Sequence, residues 1–255
     1  MTMRSTLAAG LGAFLAACAS TPEPGRRTND PLNALSASQV YVEKGIKYMD
    51  VGKYDVAKRD LERAIDLDGD NSEAYNALGV LYQRLDDPHQ AEKYFRKALS
   101  VKADNFGARN NYGRFLCLQG KYAEGMEQFR QIMASRLYDQ PWIALTNAGM
   151  CARSAGKKAE AEGFLREALK AEPDFPPALL ELAELSQETG QHLSARAFLE
   201  RYHGVARPTA RSLRLGVEIE RALGNAEAAA DYLKTLQGRF PEAGEAADSR
   251  HRPVP

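Results

Sequence analysis

The chain has little of what reactive or charge-driven function requires. Its 34 Lys and Arg are matched by 34 Asp and Glu among 255 residues, so no net positive field gathers nucleic acid or anionic lipid. Histidine is sparse: His89, His192, His203 and His251 stand far apart, with no HExxH spacing and no pair on one helix face for zinc. "DLDGDN" sets Asp66, Asp68 and Asp70 in alternation but has glycine fourth and Ala77 twelfth, where a calcium loop needs glycine sixth and glutamate twelfth. It reads as a solvated turn. No P-loop, GxSxG or Cys-His signature appears. These absences predict no catalytic residue, no metal, no cofactor and no small-molecule substrate. An enzyme acting on cell-wall glycan would need an acid–base pair that nothing in the sequence supplies. Long apolar runs are missing too: Leu7 to Ala17 is eleven residues, where a membrane-spanning helix needs about 20.

That short run has another use. Arg4, the apolar run and then Leu15-Ala16-Ala17-Cys18 read as a signal peptide, residues 1–17, closed by a cysteine. The last four residues resemble the lipobox of bacterial lipoproteins, which implies cleavage before Cys18 and acylation of that residue. Each buried methylene contributes about 0.8 kcal/mol, so several acyl chains make a lasting anchor. Ala19 stands where Asp resembles an inner-membrane retention signal, so the expected location is the periplasmic face of the outer membrane. Residues 18–37, rich in Pro, Thr, Ser, Ala and Asn, then read as the acylated cysteine and a flexible tether. Two other cysteines remain, Cys117 and Cys151. An oxidising compartment permits a bridge between them, whereas a helical domain does not need one and thiols pack as small hydrophobes; the sequence leaves both open.

From residue 38 the chain repeats. The turn-like residues Gly52, Asp86, Gly120, Gly156, Gly190 and Gly224 are spaced by 34, 34, 36, 34 and 34. Seven residues before each come Gly45, Gly79, Gly113, Gly149, Ala183 and Val217, and nine after each come Leu61, Phe95, Phe129, Leu165, Leu199 and Leu233. A mid-helix glycine costs about 1 kcal/mol relative to alanine, so glycine at one register predicts close helix contact there. The pattern matches the 34-residue tetratricopeptide repeat. It predicts an all-α solenoid of six helix-turn-helix repeats over 38–241, starting near 38, 72, 106, 142, 176 and 210, with a two-residue insertion in "SRLYDQPW". The first helix of the sixth repeat departs from pattern at Val217 and Glu220, as a cap does. The tail, 242–255, has no apolar period and is expected to be disordered.

In such a solenoid the first helices line the inner face. At the positions expected to face it stand Val42, Ile46 and Met49 in the first repeat, Asn76 and Val80 in the second, and Asn110 and Arg114 in the third. These are the candidate partner-binding residues: an apolar end nearest the tether, then a polar middle. The asparagines suit an extended peptide backbone or, equally, ties between helices.

"NNYGRFLCLQGKY" (110–122), "TNAGMCARSAG" (146–156) and "ARAFLERY" (195–202) resemble the type IV pilus biogenesis lipoproteins of the PilF/PilW group, and the insertion with Tyr138 and Pro141 falls where that group has it. The resemblance covers roughly residues 15–205 and is loose beyond. It implies a pilotin: an outer-membrane lipoprotein that binds the secretin subunit of the type IV pilus and promotes its localisation and multimerisation. The competing expectation is a repeat-containing lipoprotein adaptor for another outer-membrane client, in β-barrel assembly or with murein enzymes.

Overall fold

The computed structural model describes the backbone of residues 31–242 and the side chains of residues 37–242. The leader, Cys18 with its lipobox and the tail beyond 242 lie outside the described residues. Twelve helices follow one another among the described residues: α1 (Pro31–Asp50), α2 (Tyr54–Leu67), α3 (Ser72–Arg84), α4 (Pro88–Val101), α5 (Phe106–Leu118), α6 (Tyr122–Met133), α7 (Pro141–Ser154), α8 (Lys158–Ala171), α9 (Pro176–Glu188), α10 (His192–Val205), α11 (Ala210–Ala222) and α12 (Ala226–Arg239). They pair in order, α1 with α2 through α11 with α12, and each pair packs on the next. This is the tetratricopeptide solenoid of six repeats. One boundary differs from expectation: α1 begins at Pro31, so residues 31–37, read as tether, continue the first helix backward.

Three local devices build the repeat. The hairpin turn needs a left-handed residue, and Gly52, Gly120, Gly156, Gly190 and Gly224 supply it with φ between 73° and 77°. The following amide then bonds back five residues, as in Lys53 N–H to the Tyr48 carbonyl at 2.9 Å, which caps one helix as the next begins. In the second repeat Asp86 holds the same conformation at φ 57° despite its side chain.

The second device is close approach. A Cβ added at Gly45, Gly79, Gly113 or Gly149 would lie 2.6–2.8 Å from the side chain of Leu61, Phe95, Phe129 or Leu165 respectively. The large residue itself, sixteen positions on, fills the space that the glycine leaves. In the sixth repeat the contact shifts by one residue in both helices: Gly216 meets the Tyr232 ring, and an added Cβ would sit 2.6 Å from it. This corrects the register that placed Val217 opposite Leu233.

The third device joins repeats. Asn71 caps α3 by accepting the Ala74 amide, and its own amide reaches back 2.7 Å to Ser38 Oγ, which donates to the Ala64 carbonyl at the end of α2. Asn105, Ser72 and Ala98 repeat the arrangement one unit later. One side chain thereby satisfies both an orphan helix-start amide and a buried hydroxyl of the previous repeat. The insertion before α7 is closed by Tyr138, whose ring lies 5.2 Å from that of Phe106.

Candidate functional site

The inner face follows from which helices touch. Successive first helices, α1, α3, α5, α7, α9 and α11, contact one another directly. No two successive second helices do so to a comparable extent among the described residues. The stack therefore bends toward the first helices, and their exposed side chains line the concave surface.

Its N-terminal end is narrower in chemistry than the sequence suggests. Val42 and Met49 are buried, 1% and 3% exposed, in the core formed with Leu61, Leu78 and Leu81. Both are corrected from groove to core, because α2 and α3 together cover this stripe of α1 with Leu61, Leu78 and Leu81. Ile46, 40% exposed, stays at the surface. Val80 and Asn76 are half-buried on α3.

In the middle the asparagines pair across repeats. Asn111 donates to Asn76 Oδ1 at 3.1 Å, and Asn147 donates to Asn110 Oδ1 at 2.9 Å. They tie helices together, and their amides retain unused hydrogen-bonding capacity among the described residues. Arg114 is exposed on α5, without an ion pair or side-chain hydrogen bond among the described residues. One helix turn on, Cys117 is bonded to Cys151 of α7, with Cα atoms 5.5 Å apart. The two-residue insertion sets the register of that bond, since the cysteines are the twelfth and tenth residues of their repeats. Arg114, Cys117, Leu118, Asn147, Met150, Cys151 and Ser154 surround a shallow depression of about 90 Å3 at this seam.

The C-terminal third is a charge lattice that residue-by-residue reading missed. Arg153 of α7 contacts Glu181 at 2.7 Å, Glu184 at 2.8 Å and Glu188 at 3.1 Å on α9. Arg211 of α11 grips Glu181 at 2.7 Å and Glu184 at 2.6 Å from the other side. Burial alone would raise the Glu184 carboxyl, but the hydrogen bonds from Arg211 and Arg153 outweigh it and hold the group below its ordinary value. The signal was present as Glu on one first helix flanked by Arg on both neighbours. Glu220, noted as out of place in α11, is buried and receives Arg196 Nε at 2.8 Å.

A histidine–serine contact exists, His203 Nε2 to Ser212 Oγ at 3.1 Å, but Ser212 Oγ donates to the Thr209 carbonyl and belongs to the capping box of α11. Among the described residues no group of three or more His, Cys, Asp or Glu is placed to hold a metal. No described helix is long and apolar enough to cross a membrane.

Comparison with known proteins agrees with this architecture. Tetratricopeptide-repeat family models match residues 36–104, 77–140, 119–174 and 152–215. A protein of Pseudomonas aeruginosa described as type IV pilus assembly protein PilF is 27% identical over 241 residues, 94% of this chain and 95% of that one. The crystal structure of PilW, described as a widely conserved type IV pilus biogenesis factor, superposes with a TM-score of 0.72 at 36% identity, covering 82% of this chain and 97% of that one. A structure of Pseudomonas aeruginosa PilF gives 0.69 at 26% identity, covering 86% and 99%.

Proposed function

For a chain that belongs to the tetratricopeptide-repeat family, and within it to the type IV pilus biogenesis proteins related to PilF and PilW, we infer a pilotin role. It is a lipoprotein of the periplasmic face of the outer membrane, anchored through Cys18, that binds the secretin subunit of the pilus and promotes its multimerisation. The observation that carries this reading is a concave face whose N-terminal end, nearest Cys18 along the sequence, leaves Ile46 exposed on α1 with Val80 and Asn76 half-buried on the neighbouring α3. Such a surface binds a protein segment, and an apolar side chain at its mouth is where an interface anchor belongs.

One experiment tests both halves. Strains carrying wild type, Cys18→Ser, Ile46→Glu and the second-helix control Glu167→Lys are compared for palmitate labelling, outer-membrane fractionation and secretin oligomers. Cys18→Ser should lose label and location, since only a thiol accepts the diacylglyceryl group. Ile46→Glu should stay anchored and melt normally yet lose oligomers, because docking would bury an unpaired charge. Truncating a well-buried anchor commonly costs more than about 1 kcal/mol, roughly fivefold in affinity, and a reversal costs more. Oligomers that persist with Ile46→Glu refute this docking site. Defects in barrel assembly or murein with intact secretin would identify a different outer-membrane client.

A further inference from the structure

We propose that the depression at the seam of repeats 3 and 4 is a second peptide-binding site, one that takes an apolar side chain flanked by a carboxylate. It rests on reading the concave face as a protein-binding surface, and not on which protein docks at the N-terminal end.

Three observations specify the occupant. The lining is mostly apolar: Leu118, 68% exposed, and Met150 share it with the Cys117–Cys151 bond. An exposed leucine beside a recess of about 90 Å3 leaves apolar surface uncovered where one apolar side chain of leucine size can seat.

The charge at the rim is Arg114. Several arginines of the first helices are already engaged, Arg84 by Asp50, Arg109 by Gln128, Arg153 by three glutamates and Arg211 by two, whereas Arg114 at this depression is not. Arg114 has no carboxylate among the described residues, so a carboxylate carried by a ligand would meet a cation that gives up no internal pair.

The Asn110–Asn147 pair commits Asn110 Oδ1 and the Asn147 amide to each other, leaving Asn147 Oδ1 and the Asn110 amide to meet an extended backbone. The disulfide ties α5 to α7 directly beneath, so the recess is held open before the ligand arrives, which lowers the ordering cost of binding.

The test uses the full chain in mild detergent and fluorescence polarisation of three fluorescein-labelled octapeptides. Each is built of Ser, Gly and Thr around a central Glu-Leu, Lys-Leu or Glu-Ser pair. The Glu-Leu peptide should bind, with the other two at least about tenfold weaker. Arg114→Glu should invert the preference between Glu-Leu and Lys-Leu, Met150→Lys should abolish binding of Glu-Leu, and Ile46→Glu should leave it unchanged. Arg114 is exposed and Met150 half-buried at the rim, so both variants should melt like wild type. Absence of Glu-Leu binding up to about 1 mM, equal binding of the three peptides, or loss with Ile46→Glu but not with Arg114→Glu overturns the proposal. Secretin oligomers in cells report on the pilotin reading separately, so either proposal can fail while the other stands.

Discussion

Single residues set the spacing of this solenoid. Gly113 lies so close to Phe129 that an added Cβ would stand 2.8 Å from the ring, and Phe129 is 0% exposed with nowhere to move. Gly113→Leu should therefore lower stability by about 1–3 kcal/mol or more through overpacking. Gly163 in α8 is the internal control, since nothing lies within 4 Å of its added Cβ. Gly163→Leu should raise the melting temperature slightly, because a helix favours leucine over glycine by up to about 1 kcal/mol. Thermal melts of the two variants check both signs, and equal destabilisation would remove the close-contact explanation. The same scale explains why four glycines announced themselves in the sequence while Gly216 did not. It sits eight residues before its turn instead of seven, so counting back from Gly224 lands on Val217.

At the scale of elements, stability lies in how one repeat meets the next. The Asn71–Ser38 and Asn105–Ser72 clasps bind the first three repeats, and the glutamates of α9 bind the last three. The disulfide spans the seam between these halves. It closes a loop of 34 residues, which in the chain-entropy account corresponds to about 4 kcal/mol, with about 2–4 kcal/mol the usual measured range. Reduction should lower the denaturation midpoint correspondingly. Because neighbour interfaces carry a repeat array, the loss should also broaden the transition as the two halves begin to melt apart. Calorimetry with and without reductant reads both effects, and an unchanged curve would mean that helix packing alone secures the seam.

For the whole molecule, charge decides how the curved stack responds to acid. Net charge is formally +0, so general repulsion contributes little near neutrality, and specific carboxylates control the response. The Glu184 carboxyl is held below its ordinary value of 4.5 in the folded protein. A depressed carboxylate contributes stability that is fully present above the unfolded pKa and is lost as pH falls through the folded pKa. Stability should therefore hold from neutrality down to about pH 4.5 and fall below it. Glu184→Gln should cost about 1–3 kcal/mol at pH 7, as loss of a charged hydrogen-bond acceptor does, and should flatten the acid limb. Melting temperatures at pH 7 and pH 3 for both proteins test this, and parallel curves would remove Glu184 from the acid response. The lattice also commits Arg153 and Arg211 to the α9 glutamates, so neither is free to meet a ligand carboxylate without giving up an internal pair.

The sequence by itself determined the repeat. Turn residues at left-handed positions, glycines at one register and apolar residues sixteen positions on are constraints within a single helical hairpin, so each is legible over a short window. Repetition multiplied a weak local signal into a fold. Tertiary structure alone decided what depends on the angle between neighbouring repeats. It buried Val42 and Met49 while leaving Ile46 at the surface, turned the asparagines into pairs, gathered Arg153, Arg211 and the α9 glutamates into one lattice, and joined Cys117 to Cys151. Periodicity tells which face of a helix is apolar, but how far the next helix rolls over that face is set by the sum of all contacts along the seam. That roll separates a core residue from a binding residue, and it left the groove's true lining to the folded molecule.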